Sequence, residues 1–348
     1  MKYKKLGKTG LYVSEICLGT MTYGGKGFWE VIGKLGLDSV QSQFRLAYDS
    51  GVNFIDTANV YHEGESEKLT GDAIGKLGLP RNELVIATKV KGRMGKGAND
   101  VGLTRKHIFD SIDASLQRLQ MDHVDLYQIH GFDPVTPVEE TLDALNDIVR
   151  SGRARYIGFC NLPAWLAMKA LSVSDAKGYA RFVSAQVHYT IAGRDIEREI
   201  VPLAKEEGLG ILPWSPLAGG LLTGKFSRNG EGPSDARRAQ FDFPPVNKDR
   251  LFNTIDVIRP IAEAHNVSIS QIAIAYLLQK PFVTSVIIGA KTNEQLKDNL
   301  ASVNVKFTSD EIKALDDVSN LPSEYPGWML GFQQRDRYIE GAERKDIL

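Results

Sequence analysis

The chain has 348 residues, 43% apolar and 24% charged, with 42 Lys and Arg against 43 Asp and Glu and a net charge of −1. That ordinary globular balance excludes a strongly basic nucleic-acid face as the main business of the chain, and a chain this long buries enough surface to need no staples. Two cysteines, Cys17 and Cys160, exclude a disulfide framework and point to a reducing compartment.

The opening MKYKKLGKTGLYVSE lacks the apolar stretch of a secretion signal. No run approaches the roughly 18 apolar residues of a membrane span. A soluble, cytoplasmic protein is expected, with no membrane or nucleic-acid partner. The six histidines show no metal-site spacing, so no metal is expected.

Along the chain, short runs rich in β-branched residues predict eight strands, at 16–21, 53–57, 84–90, 124–130, 156–160, 182–187, 210–214 and 285–289. Helical periodicity separates them. Residues 39–50 place Val40, Phe44 and Ala47 on one face and stop at Gly51. A helix over 65–77 stops before Gly78-Leu79-Pro80. Thr104 opens a helix striped by Ile108, Ile112, Leu116 and Leu119. Thr136-Pro137-Val138-Glu139 reads as a capping box with Pro in the first helical position. Later helices start at Asn161-Leu162-Pro163 and span 196–207, 249–265 and 270–279. The stretch 227–247 reads as a long loop after the seventh strand, and 320–348 as an irregular tail.

Eight strands alternating with helices give the (β/α)8 count, so a single barrel domain over 1–348 is expected. An open doubly wound sheet would show G-x-G-x-x-G after its first strand, and none follows 16–21.

In a barrel, chemistry sits at the C-terminal strand ends. Strand two ends in Asp56, with Tyr61 shortly after; strand three ends in Lys89 and strand four in His130. A phenol titrates near pH 10, and a nearby ammonium is expected to lower that value. A carboxylate keeps the lysine charged, and a histidine donates to a developing oxyanion. The set matches proton delivery to a carbonyl oxygen, with the hydride supplied by a cofactor.

These residues resemble the aldo-keto reductase family. The resemblance rests on Gly51-Val52-Asn53-Phe54-Ile55-Asp56-Thr57-Ala58-x-x-Tyr61 with Gly64-x-Ser66-Glu67, and on Asp125-Leu126-Tyr127-Gln128-Ile129-His130. It continues through Tyr156-Ile157-Gly158-Phe159-Cys160-Asn161, Trp214-Ser215-Pro216-Leu217 and Ile288-Gly289-Ala290-Lys291, covering about residues 1–320. The opening Leu6-Gly7-x-Thr9-Gly10-Leu11 resembles the hairpin that plugs such barrels. Trp-Ser-Pro-Leu leans toward the branch of bacterial reductases and potassium-channel β subunits.

The resemblance implies NADP(H)-dependent reduction of aldehydes or ketones, with Tyr61 as proton donor, Lys89 and Asp56 tuning it, and His130 polarising the carbonyl. It implies Thr20 and Met21 at the ribose or nicotinamide, Cys160, Asn161 and Gln186 at the carboxamide, and Trp214 stacked on the ring. Ser215, Pro216, Leu217, Ala218, Gly219, Lys225 and Arg237 would line the phosphate loop. Gly289, Lys291, Gln295 and Asn299 would hold the adenosine end, with Lys291 facing a 2′-phosphate. Two positions depart from the pattern: Cys160 stands where Ser is commoner, and Gly131 where an aromatic residue is frequent.

Gly219-x-x-x-x-Gly224-Lys225 nearly matches a P-loop, but Phe226 replaces the magnesium-binding Ser or Thr. His62 is open to two readings, substrate contact or solvated loop residue. Trp29, Phe28, Trp328, Met329 and Phe332 are expected around an apolar substrate pocket that Gly131 enlarges for cyclic or aromatic carbonyls. Two rivals stand beside the reductase: a regulatory subunit that binds the same cofactor but turns over little, and a barrel lyase with Lys89 as Schiff base. The natural carbonyl and the oligomeric state are left open.

Overall fold

A computed structural model of the chain describes residues 1–234 and 236–334. A hairpin of β1 (Tyr3–Lys5) and β2 (Tyr12–Ser14) comes first. Then follow β3 (Ile16–Gly19), α1 (Leu37–Asp49), β4 (Phe54–Asp56), α2 (Glu65–Leu77), β5 (Val85–Val90) and α3 (Arg105–Leu119). The middle of the chain gives β6 (Val124–Ile129), α4 (Val138–Arg150), β7 (Ala154–Cys160), α5 (Ala164–Lys177), β8 (Phe182–His188), α6 (Ile200–Glu207) and β9 (Gly210–Trp214). A long connection carrying the short α7 (Arg237–Gln240) leads to α8 (Lys248–His265), α9 (Ile269–Leu278) and β10 (Val286–Ile288). The described part ends with α10 (Asn293–Ala301), α11 (Ser309–Val318) and α12 (Gly327–Gln334). Among the described residues no helix is long and apolar enough to cross a membrane.

The eight strands β3 to β10 form one parallel sheet in the order β10-β3-β4-β5-β6-β7-β8-β9. Its two ends meet where Ile211 bridges Val283 and the Thr284 N–H donates to the Ile211 carbonyl at 2.9 Å. This is the (β/α)8 barrel expected from the strand count. All six residues of β5 are buried, because helices cover one face of a parallel strand and the barrel interior the other.

Alternation along the strands sorts the interior by height. Leu6 and Val13 from the hairpin meet Cys17, Phe54, Val85, Ala87, Leu126 and Leu212 in a small apolar cluster that closes the floor. Two or four residues further along the same inward-facing columns stand Asp56, Lys89 and Gln128. Strand periodicity of two therefore turns an apolar floor into a polar roof. The hairpin is fastened from below: Lys8 N–H donates to the Gly208 carbonyl at 2.9 Å. Gly7, at φ +58°, lies so close that a Cβ would stand 2.5 Å from the Val183 carbonyl oxygen.

Three details correct the sequence reading. Thr136 does not cap α4: its hydroxyl donates to Asp133 Oδ2 at 2.8 Å, and Pro137 occupies the cap position. The Asp133 carboxylate also accepts the Val135 N–H, so it competes successfully for the threonine. The irregular loop after β9 contains α7 and a 3-10 turn at Ala218–Thr223. The tail contains α12, where Trp328, Met329, Leu330 and Phe332 form an apolar run.

If the hairpin closes the core, Leu6→Ala will lower unfolding free energy by about 2–5 kcal/mol in urea denaturation. An unchanged midpoint would show that the hairpin is dispensable.

Candidate active site

The roof of the barrel is organised around one buried ion pair. Lys89 Nζ donates to Asp56 Oδ2 at 2.6 Å, to the Thr57 carbonyl at 2.8 Å and to the Tyr61 hydroxyl at 3.2 Å. All three ammonium protons are thus used. The other Asp56 oxygen, Oδ1, accepts from Gln128 Nε2 at 3.1 Å and Gln186 Nε2 at 2.9 Å. Side-chain exposure is 0% for Lys89 and 3% for Asp56. A pair this deep is tolerated only with its hydrogen bonds filled. Burial works against the Lys89 charge, but Asp56, Tyr61 and Cys160 outweigh it, and the ammonium is held well above its ordinary range.

Tyr61 corrects one expectation. Burial lifts its phenol above the usual value, and Lys89 takes back only part of that rise. The phenol therefore keeps its proton at neutral pH, while its oxygen accepts from Lys89. His130, edge-on to Tyr61 with ring centroids 5.6 Å apart, is pushed well below its ordinary value by burial and then by Lys89 and Lys91. It is a neutral imidazole, able to donate a hydrogen bond without carrying charge.

Tyr61 reaches the lysine because the chain after β4 doubles back. Thr57 N–H donates to the Ala87 carbonyl, and His62, Glu63 and Gly64 follow Tyr61 at φ +49°, +57° and +91°. Each non-glycine residue in that region costs roughly 1 kcal/mol or more. The start of α2 holds the turn down. Ser66 Oγ donates to the Thr20 carbonyl at 2.8 Å, and the buried Glu67 accepts from Thr88 Oγ1 at 2.5 Å and Arg118 Nε at 2.7 Å.

A cavity of about 720 Å³ opens above this group and is lined by Asp56, Tyr61 and His130. Lys89 lies beneath its floor. Thr20, Met21 and Trp29 line it from the β3 side, with Trp29 edge-on to Tyr61 at 5.4 Å. Asn161, Gln186 and Trp214 line it from β7, β8 and β9. Trp214 Nε1 donates to Asn161 Oδ1 at 2.9 Å, so the two fix each other. Gln186 spends its amide nitrogen on Asp56, which leaves its carbonyl oxygen with capacity for a ligand. Cys160 and Ala218 are fully buried and lie behind the wall; burial pushes the Cys160 thiol up, so it stays protonated.

Ser215, Pro216, Leu217, Gly219, Lys225 and Arg237 line the next part of the cavity. Here the backbone runs left-handed at Ser215, Ala218, Gly219 and Gly220. A Cβ at Gly219 would stand 2.8 Å from the Phe243 carbonyl oxygen. Arg237 Nε and Arg238 Nε and Nη2 are buried without hydrogen-bond partners, although Arg238 Nη1 pairs with Asp242 at 2.9 Å. Burial, then its neighbour Arg238, pulls Arg237 down to about 10. Unsatisfied guanidinium groups beside a left-handed, glycine-rich turn have the donor chemistry of a phosphate site. Gly289, Lys291, Gln295 and Asn299 line the far end. Gln295 Oε1 accepts the Lys291 N–H at 2.9 Å. A cavity with a phosphate-type donor set in its middle and polar groups at both ends fits a dinucleotide.

Sequence reasoning missed several residues. Gln128 shares the inward column of His130, two positions earlier, which was the available signal. Asp298 lines the cavity and accepts from Ser268 Oγ at 2.7 Å and Gln271 Nε2 at 2.6 Å. It lies three residues after Gln295, on the same helix face. Phe241 and Phe243 had no sequence signal; Phe241 meets Phe28 edge-on at 5.0 Å across the mouth. The tail aromatics are also corrected. Trp328, Met329 and Phe332 surround a separate hollow rather than the main cavity, because their segment is tied to Arg198 through Glu324 and the Pro322 carbonyl. His62 is neither solvated nor in the cavity wall: it is fully buried.

Residues 15–320 match the model of the aldo/keto reductase family. The chain is 36% identical over 330 residues to "Uncharacterized oxidoreductase YrpG" of Bacillus subtilis, covering 91% of this chain and 96% of that protein. It is 37% identical over 311 residues to "Probable voltage-gated potassium channel subunit beta" of Arabidopsis thaliana, covering 88% and 92%. It is 33% identical over 353 residues to "Versiconal hemiacetal acetate reductase" of Aspergillus parasiticus, covering 94% and 99%.

The depressed His130 value has a direct consequence. Its imidazole will show no titration by NMR around pH 6.5, where an ordinary histidine takes up its proton. Because the unfolded chain binds that proton and the folded chain does not, His130 favours folding above about pH 6.5, and its contribution fades as pH falls. A His130 midpoint near 6.5 would show an unperturbed site.

Proposed function

Because the chain belongs to the aldo/keto reductase family, we propose that it is an NADP(H)-dependent oxidoreductase that reversibly reduces aldehydes or ketones to alcohols, with Tyr61 as proton donor. The observation that carries this reading is the Lys89 ammonium bonded at once to Asp56 and to the hydroxyl of Tyr61, just beneath the floor of a cavity sized for a dinucleotide and a small carbonyl.

When bound, the reduced nicotinamide supplies the hydride. Tyr61 delivers its proton to the carbonyl oxygen, and the Lys89 ammonium stabilises the phenolate left behind. Asp56 keeps Lys89 charged and in place. His130 donates its N–H to the same carbonyl oxygen and so orients the substrate. In alcohol oxidation Tyr61 takes the proton back. Asn161 and the Gln186 carbonyl oxygen hold the carboxamide beside Trp214, near Thr20 and Met21. The backbone of Ser215, Leu217 and Gly219, with Lys225 and Arg237, holds the diphosphate, while Ala218 lies behind them. Gly289, Lys291, Gln295 and Asn299, joined by Asp298, hold the adenosine end. The whole chain works as one barrel unit.

Trp29, Phe28 and Phe241 give the substrate end apolar ring surface. Gly131 does not line this cavity; a Cβ there would meet only Lys91 Cδ, at 3.8 Å. The ring surface favours cyclic or aromatic carbonyls over small polar ones.

Tyr61→Phe will lower kcat/KM for a reactive aromatic aldehyde by about 10²–10⁴ while leaving NADPH affinity near normal. Lys89→Met will be as damaging, and the double variant little worse than either, since the two act as one unit. Additive losses would separate Lys89 from the phenol. NADPH binding without aldehyde turnover in the unmutated protein would favour the regulatory-subunit reading.

A charge-assisted contact between Lys291 and a 2′-phosphate will make NADPH bind more tightly than NADH. Lys291→Ala will raise the NADPH dissociation constant by roughly tenfold or more and change that for NADH little. Equal affinities in the unmutated protein would refute the preference.

A further inference from the structure

His62, next to Tyr61 in sequence, lies outside the cavity wall and is fully buried, and both of its ring nitrogens are occupied. Nε2 contacts the Met21 carbonyl oxygen at 3.0 Å, and the Lys26 N–H donates to Nδ1 at 3.3 Å. One neutral tautomer, with its proton on Nε2, satisfies both contacts. Burial lowers its proton affinity, in keeping with that neutral form.

The two contacts fall at the end of β3 and just before the 3-10 turn Gly27–Val31, which carries Phe28 and Trp29. The base of this loop closes on itself, Gly24 N–H to Leu35 O and Leu35 N–H to Thr22 O. Its tip rests on the imidazole. Gly24, at φ +125°, lies so flat against the ring that a Cβ would stand 2.6 Å from His62 Cγ. Trp29 then has His62 on one side, ring centroids 6.0 Å apart, and Tyr61 on the other at 5.4 Å. The left-handed backbone at His62 and Glu63 is what sends the His62 ring beneath this loop while Tyr61 faces the cavity.

We propose that His62 is a positioning and specificity-determining residue: it latches the loop after β3 so that Trp29 stands edge-on to the Tyr61 ring and forms one wall of the subsite for ring-bearing carbonyls. His62 makes no contact with the reacting atoms and acts through Trp29. The inference rests on the carbonyl-reduction reading above and names how that site selects its substrate.

The test is His62→Phe, which keeps a ring in place but removes both hydrogen bonds. Amide exchange over residues 26–33 will quicken by roughly tenfold or more, the size expected for one lost hydrogen bond. KM for 2-naphthaldehyde will rise about tenfold, while kcat, and both constants for propanal, stay within about twofold. A double variant with Trp29→Ala will be no worse toward naphthaldehyde than Trp29→Ala alone, because the two changes act on one contact. His62→Asn, which keeps an acceptor near the Nδ1 position, will recover part of the protection. Should His62→Phe fold poorly, Gly24→Ala disturbs the same contact from the loop side and must give the same pattern. Unchanged exchange would overturn the latch. Equal KM changes for large and small aldehydes, or a collapse of kcat, would overturn the specificity role. Exchange needs no turnover, so it reads the latch even if the unmutated protein reduces no aldehyde, which would count against the catalytic reading alone.

Discussion

A charged lysine held out of water constrains the rest of this molecule. Taking an ammonium and a carboxylate into a barrel costs several kcal/mol per ion unless every proton and lone pair finds a partner. The pair of Lys89 and Asp56 meets that condition with neighbours from two further strands, β6 and β8, and from the connection after β4. Thr57 supplies a backbone carbonyl, Gln128 and Gln186 supply amide protons, and the Tyr61 hydroxyl completes the ammonium. The chemical group is therefore also a structural one. The phenol proposed as the proton donor is held by the same bond that makes burial of the lysine tolerable.

The arrangement of the barrel follows from that constraint. Inward-facing positions are apolar at the floor, where the hairpin closes the core with Leu6 and Val13, and turn polar at the roof, where the ion pair sits. Tyr61 is not on a strand and must be brought back to the lysine by a turn of left-handed residues. Such a turn does not hold itself. Ser66 and Glu67 fasten it to β3 and β5, and His62 fastens it to the loop after β3. The long connection after β9 completes the enclosure with unpaired arginine atoms on one side and phenylalanines on the other.

Much of this was legible in the residues. The eight strands fall where β-branched runs place them, within a few residues at each end, because buried parallel strands have few alternatives in composition. Asp56, Lys89 and His130 were legible as polar residues that end apolar runs, and Tyr61 as a phenol shortly after the first of them. Gln128 was not read, although its parity with His130 marks it as inward-facing. The capping box at Thr136 was misread because Asp133, three residues earlier, is the stronger partner for its hydroxyl. The tail aromatics were misassigned because composition says nothing about which hollow a segment is tied to.

Local chemistry is what the sequence by itself determined: strand and helix periodicity, the order of elements, the barrel they close, and the residue types at each strand end. These depend on neighbours one to four positions apart, which the chain states directly. The tertiary structure alone decided which groups share a proton and which share a wall. It showed that burial outweighs Lys89 at the Tyr61 phenol. It showed that Gln186 serves Asp56, and that His62 faces a loop rather than the cavity. Those outcomes depend on depth from solvent and on contacts between residues tens of positions apart. Desolvation and hydrogen-bond geometry have no signature in a linear pattern.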